Sequence, residues 1–361
     1  MFSSRNYKVI VGKIMKSFFK KIVKFAKRKK ILGQFKVYLK NGQYLGDLRA
    51  KVFYRKEDEH NEKFCVEHLK RQFPTGFLKR SFFQYNLKTK DKFFDGDIIV
   101  FGNTAIEDKP ASVKIFNMEK KEIVTIYRDE KKLWSDLNAY EYFAGKLPIV
   151  PIILKDLEHR IVKEKMIIGR TVAQLDEKEY YQLFVTIVSY YVEYFKKEQR
   201  LKTILLSDLF NEAIEKQIDA TIREQIILRF SNIKDKPVPI KTLHGDFTYS
   251  NLLLDKQGCY FIDFEHFGDY CFYYDIFWLM QNEYVYGQNK TLMQLYFKGG
   301  MDIIFKMLFE AVGECFDENM RDVYYYVFIL EMYNKRVFKL EDKNIVFNYI
   351  KKILREFCIG V

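Results

Sequence analysis

Strand-like and helix-like patterns are segregated along this chain of 361 residues. Between residues 96 and 168 lie GDIIVFGNTA, ASVKIFNM and EIVTIYRD, short runs rich in β-branched and aromatic residues, with EKKE at 119–122 as the turn between the last two. A helical stretch follows over about 129–145, EKKLWSDLNAYEYFAGK, stopped near Gly145. One more strand-like run, HRIVKEKMII, leads to Gly169. From about residue 175 onward apolar stripes at helical spacing take over: EYYQLFVTIVSYYVEYFKKE, then DLFNEAIEKQIDATIREQIILRF, then residues 291–312, 320–337 and 342–358. The exception is residues 237–265, where strand patterns return. Strands around a single helix, then helices, predict an α+β protein with a small β-rich unit and a larger helical one.

The front of the chain differs in charge. Residues 1–95 hold 25 Lys/Arg against 8 Asp/Glu, a net of +17; the whole chain nets +13, which leaves −4 for residues 96–361. Residues 8–31, KVIVGKIMKSFFKKIVKFAKRKKI, place Val11, Ile14, Met15, Phe18, Ile22, Phe25 and Ala26 three or four apart, with lysines on the other face. Two readings stand for this basic amphipathic helix: an in-plane contact with an anionic membrane, or a surface helix packed on its own domain. Nucleic-acid binding is a weaker alternative for the basic region. Residues 35–55 read as a hairpin turning at Asn41-Gly42, and residues 60–90 carry no assignable pattern. The expected division is a basic N-terminal region over 1–95, a β-rich unit over 96–168 and a helical unit over 169–361.

Composition narrows the classes. Apolar residues make up 48% and charged residues 30%, which suits a folded globular chain. The five cysteines include no CxxC pair and are odd in number, which argues against a disulfide framework or structural zinc and for a reducing, cytoplasmic setting. The five histidines show no metal-ligand pairing. No uncharged apolar run of about 18 residues is present, so no transmembrane helix is expected, and lysines interrupt the N-terminal apolar residues, unlike a secretory signal.

The chemistry gathers in residues 240–265, IKTLHGDFTYSNLLLDKQGCYFIDFE. Asp246, Asn251 and Asp263 stand out on an apolar background. Leu252–Leu254 and Cys259–Ile262 read as two strands joined by a turn at 255–258, so Asn251 would enter one strand beside Asp263 leaving the other. An amide oxygen and a carboxylate brought together suit Mg²⁺, which prefers hard oxygen ligands and takes one or two from protein. Asp246, on the loop before, would face an incoming hydroxyl and orient or accept its proton.

In these residues the chain resembles a known superfamily. HGDFTYSN is similar to the HxDxxxxN catalytic loop of aminoglycoside phosphotransferases, choline kinases and related kinases, and IDFE resembles their metal-binding motif, with Asp275 following 12 residues after Asp263. The resemblance spans roughly residues 96–340, but only 243–280 are specific. It implies a protein-kinase-like bilobal fold that uses ATP and Mg²⁺. It further implies Asp246 as catalytic base, Asn251 and Asp263 as metal ligands, His244 as a prop behind the loop, and Asp275 as a brace. Glu265 would meet a second metal or the substrate, or solvate a loop. Tyr249 and His266, with Phe247, Tyr270 and Phe272, would line an acceptor pocket, or else serve as packing. For the cation on the ATP phosphates two positions compete: Lys114 in SVKIF, or Arg128 after EIVTIY, with Asp136 or Glu141 as the helix acid. The phosphate-covering segment FGNTAIEDKPAS has a single glycine, Gly102, rather than a glycine-rich run. EKMIIG at 164–169 resembles the hinge that binds adenine, with Met166 and Ile168 as walls.

The resemblance therefore implies an ATP:alcohol phosphotransferase. The expected acceptor is a small molecule, above all a sugar of a cell-envelope glycan or glycolipid. Lipopolysaccharide-core sugar kinases share this loop, and the basic front would hold the enzyme peripherally at the inner face of the membrane. A choline or ethanolamine kinase is the alternative, with nearby aromatics as a cation cage. An aminoglycoside kinase sits poorly with the basic front, and a pseudokinase scaffold would keep the fold without turnover. No obligate protein partner is evident.

Overall fold

The computed structural model describes residues 29–47, 51–69, 84–90, 92–102, 112–170, 172–198, 202–216, 218, 220–230, 233, 235–256, 258–335 and 340–357. Two compact units divide the chain: residues 1–134 with 150–167, and residues 135–149 with 168–361. The α+β class expected from the sequence holds.

The first unit is built on an eight-stranded sheet in which every neighbouring pair is antiparallel. In chain order its strands are β1 (Gly42–Asp47), β2 (Val52–Arg55), β3 (Gln84–Leu87), β4 (Ile98–Phe101), β5 (Ser112–Asn117), β6 (Glu122–Tyr127), β7 (Ile152–Asp156) and β8 (Ile161–Lys165). Their order across the sheet is β3-β1-β2-β4-β5-β6-β8-β7. Helix α1 (Glu59–Glu67) follows β2, and α2 (Glu130–Phe143) follows β6. Alternation along the strands sends side chains to two faces. Val113 and Ile115 of β5 and Val124 and Ile126 of β6 join Tyr44, Phe53, Tyr85, Ile99 and Phe101 on one. Phe116 of β5 joins Leu45, Val52, Tyr54, Ile98 and Phe64 of α1 on the other.

Three expectations change here. The boundary at 95/96 disappears, because β1, β2 and β3 belong to the same sheet as β4–β8. The Asn41-Gly42 pair is not a hairpin turn. Lys36–Tyr38 form a 3₁₀ turn, Leu39 bridges Gly96, and the Asn41 side chain accepts from the Thr89 backbone N–H at 2.9 Å and donates to its carbonyl at 3.2 Å. The hairpin is β1–β2, re-entered through Lys51 at φ +55°. Strand β7 was not foreseen; it is a sheet edge whose residues are mostly exposed, so it lacks the alternation that marks a half-buried strand.

Residues 8–28 of the amphipathic stretch lie outside the described residues, but its end is visible. Ile31 packs with Leu32, Phe35 and Leu39 into the first core face, while Lys29 and Lys30 are exposed. For these last positions the packing alternative applies.

The second unit is mainly helical. Helix α3 (Glu177–Lys197) opens with a capping box, in which the Asp176 carboxylate accepts from the Glu179 N–H and the Glu179 carboxylate accepts from the Asp176 N–H. Then come β9 (Lys202–Leu205), α4 (Leu206–Glu215) and α5 (Ala220–Phe230). The single helix expected over 208–230 is thus two. Next are β10 (Pro237–Leu243), β11 (Leu252–Asp255), β12 (Gly258–Phe261) and β13 (Gly268–Cys271). The unit ends with α6 (Tyr274–Val285), α7 (Thr291–Phe297), α8 (Asp302–Glu310), α9 (Arg321–Lys335) and α10 (Leu340–Phe357). Strands β13-β10-β9 make one small sheet and β11-β12 a hairpin. The abundant aromatics form the core: Phe277 alone meets the rings of Tyr273, Tyr296, Phe305, Tyr325 and Phe328.

Candidate active site

Strand β10 carries the chain into the loop that begins at His244, and its last residue, Leu243, lies opposite Gly268 of β13. The turn out of the strand depends on Gly245. Its φ is +78°, and a Cβ there would stand 2.1 Å from the His266 carbonyl oxygen. Asp275, fully buried at the start of α6, holds this turn from behind. Its carboxylate accepts from the His244 N–H at 2.8 Å, the Gly245 N–H at 2.9 Å and the Tyr191 hydroxyl at 2.6 Å. Burial raises the Asp275 carboxyl above its ordinary value, opposed by the neighbouring His244 and by these donors.

His244 is fully buried, between the rings of Phe247 and Phe264. Its Nδ1 accepts from the Asp246 N–H at 3.3 Å, which leaves Nε2–H to donate to the Ile262 carbonyl at 2.9 Å. The imidazole therefore ties the loop to the residue before Asp263.

The rest of the constellation closes through backbone and amide contacts. Tyr249–Asn251 form a 3₁₀ turn, and β11 pairs with β12 in the register Leu252↔Phe261 through Asp255↔Gly258. Just beyond the ladder, the Ile262 N–H donates to the Asn251 carbonyl at 3.0 Å. The Asn251 side-chain amide donates to the Asp246 carbonyl at 2.8 Å, so its Oδ1 remains for other work. Asp263 then leaves the hairpin at φ +66°, a left-handed conformation uncommon for a non-glycine residue. Its side chain is exposed, and among the described residues nothing engages its carboxylate. The expected hairpin thus brings Asp246, Asn251 and Asp263 into one neighbourhood, with His244 and Asp275 beneath.

This donor set fits Mg²⁺: an amide oxygen and an unengaged carboxylate are hard ligands, and two from protein suffice. Among the described residues no group of three or more His, Cys, Asp or Glu could hold a metal, so no closed cage of those residues competes with the pair.

The other site residues fall out unevenly. Glu265 and His266 follow Asp263, both exposed, with Oε1 and Nε2 3.8 Å apart. Tyr249 does not line an open pocket: it is 7% exposed and packs edge-on against Tyr180. Phe247 and Phe272 are likewise core, and Tyr270 stacks on Tyr274 while its hydroxyl donates to the His266 carbonyl. In the first unit Lys114 is exposed on β5, between Val100 and Thr125, and has no ion pair among the described residues. Arg128 is already committed: its guanidinium donates to the Gln34 side chain and lies 5.2 Å from the Phe35 ring centroid. That engagement makes it a tie to residues 34–35. Asp136, half-buried, counts with the second unit. Met166 is 3% exposed, packed into the core with Leu45, Tyr54 and Phe116, so it is no open adenine wall; Ile168 is 40% exposed. Residues 103–111 of the phosphate-covering segment lie outside the described residues.

Sequence reasoning missed Tyr191, which donates to Asp275, and Glu331 on α9, whose carboxylate accepts from the Cys271 N–H at 2.8 Å. Neither belongs to a motif, and their partners lie 84 and 60 residues away.

No protein-family model matches the chain, and no curated protein matches it. Similar solved structures include a choline kinase from Streptococcus pneumoniae, at 13% identity over 71% of this chain and 93% of that one, with a TM-score of 0.43. A choline/ethanolamine kinase family protein from Mesorhizobium loti gives 12% identity over 71% and 88%, with a TM-score of 0.44. A thermostable mutant of an aminoglycoside phosphotransferase, in ternary complex with ADP and hygromycin B, gives 13% identity over 71% and 94%, with a TM-score of 0.44.

Proposed function

We propose that this chain is an ATP-dependent phosphotransferase acting on the hydroxyl of a small molecule. The observation that carries this reading is the closed set of contacts His244–Ile262, Ile262–Asn251 and Asn251–Asp246, which draws Asp246, Asn251 and Asp263 together. Mg²⁺, held by the Asn251 amide oxygen and the Asp263 carboxylate, would offset phosphate charge when nucleotide is bound. Asp246, half-buried at the loop's tip, accepts a hydrogen bond from the acceptor hydroxyl and takes its proton as the new O–P bond forms and ADP leaves. His244 and Asp275 hold Asp246 in place and touch neither reactant. Lys114 is the cation offered to the phosphates.

The acceptor favoured is a sugar of a cell-envelope glycan or glycolipid. Its support is the +17 of residues 1–95 and the amphipathic residues 8–31, which would keep a cytoplasmic enzyme against an anionic membrane. A second reading, a choline or ethanolamine kinase, draws on the exposed Glu265 carboxylate next to Asp263, which suits a cationic acceptor. ATP consumption against sugars, amino alcohols and envelope glycolipids separates the two. Asp246→Asn is the control: turnover of the best acceptor falls by about 10²–10⁴-fold. Undiminished turnover by that variant rejects Asp246 as the base. Absence of Mg²⁺-ATP binding in the native protein favours the scaffold instead.

A further inference from the structure

A cluster of lysines around one bare aromatic ring lies far from the catalytic loop in sequence. Residues 36–41 run beside residues 87–90 and 92–93 in the first unit. Leu87 pairs with Gly42, Thr89 exchanges two hydrogen bonds with the Asn41 side chain, and the Phe93 N–H donates to the Val37 carbonyl at 2.8 Å. Residues 29–41 contain four lysines and no acid, and residues 84–95 contain three lysines and two aspartates. Lys40 is neutralised by Asp97 and Glu119, and Lys92 by Asp95. Lys29, Lys30, Lys36, Lys88 and Lys90 are exposed, and none has an ion pair among the described residues. Phe93, hydrogen-bonded to Val37 next to Lys36, is 80% exposed, the barest large apolar side chain among the described residues, its ring 6.0 Å from that of Tyr38. The neighbouring Phe94 is buried at 8%.

A solvated lysine face and a single exposed ring are each ordinary, but covering the ring would take its apolar area out of water while the lysines gained anionic partners. A surface that is anionic at its boundary and apolar just beneath satisfies both features at once. We propose that Lys29, Lys30, Lys36, Lys88 and Lys90, with Phe93, form a docking face for a bilayer containing anionic phospholipid, the ammonium groups meeting head-group phosphates and Phe93 entering the acyl boundary. Continuity supports this occupant: the face begins where the Phe-, Ile- and Lys-rich residues 8–28 end. A nucleic-acid duplex would use the charge but keeps its bases stacked on one another, and a single strand, whose bases could stack on the ring, is the competing occupant. The face is independent of the phosphotransfer reading.

The test uses the full chain and vesicles of phosphatidylcholine with or without about one-third phosphatidylglycerol, read by co-sedimentation. The native protein binds the anionic vesicles and not the neutral ones. Lys36→Glu/Lys88→Glu/Lys90→Glu weakens that binding by about a hundredfold at low salt. Phe93→Ala weakens it by roughly tenfold at low and high salt alike, since the transfer of an apolar ring is not screened. Residues 1–28 are intact in both variants, so binding equal to native would assign the membrane contact to that segment alone and overturn the proposal. Native protein that ignores anionic vesicles overturns it too. So does a triple variant that loses affinity for single-stranded RNA while its vesicle binding stays native. Phe93 is exposed, so its variant folds and decides the matter even if the triple variant does not.

Discussion

Asp275 accepts three hydrogen bonds in a fully buried position, and two of them fix the backbone on which Asp246 rides. Asparagine there would turn an amide toward donors, leaving at least one N–H without an acceptor. Asp275→Asn should cost about 1–3 kcal/mol in denaturant unfolding and reduce turnover more than nucleotide affinity. Glu331 gives a separate, pH-dependent signature. Burial pushes its carboxyl up to about 7, partly opposed by the Cys271 side chain and N–H and by Lys335, while Asp275 reinforces the rise. A folded value above the unfolded one means that the native state holds the proton more tightly. The stabilisation is complete below the ordinary glutamate value and disappears as pH climbs through about 7. Glu331→Gln should remove about 3 kcal/mol of that slope from unfolding measured across pH 4 to 8. Parallel curves for variant and native protein would contradict it. At this scale the sequence exposed Asp246, Asn251 and Asp263, because polar residues at fixed spacing stand out on an apolar run. It hid Tyr191 and Glu331, because a tyrosine in a tyrosine-rich helix and a lone glutamate carry no local signal of partners 84 and 60 residues away.

The β11–β12 hairpin was legible as an element, since two apolar runs about a short turn can pair in few registers once one face is buried. The turn before it was not. Gly245 reads as part of a motif, but its need for φ +78° and for the space claimed by the His266 carbonyl appears only in three dimensions. Gly245→Ala should push the loop away from residues 266–270 and lower turnover by roughly a hundredfold. An alanine variant with native kinetics would show that the loop tolerates displacement. Asn41-Gly42 is the opposite lesson. A strong local turn signal lost to tertiary context, because Asn41 found its partners at Thr89 rather than across a hairpin.

Among the described residues, Cys65, Cys259 and Cys271 are buried, Cys315 is exposed, and none of the four is in a disulfide. Native labelling with a thiol reagent should therefore modify Cys315 and spare Cys65, Cys259 and Cys271 until the chain unfolds, and rapid labelling of Cys271 would contradict its place against Glu331. The larger sequence error was organisational. Charge marked residues 1–95 as a separate region, but charge reports on surfaces, and the buried side chains of β1, β2 and β3 belong to the sheet that continues from β4. A protein begun at residue 96, as the motif's apparent reach would invite, would strip Ile31, Phe35, Tyr44, Phe53 and Tyr85 from one face of that sheet and, while β4 kept its ladder to β5, would open its other edge, where Ile98–Val100 pair with β2. Such a fragment would present an open backbone ladder to its own copies, and it would precipitate or form strand-paired aggregates before any catalytic assay could be run on it.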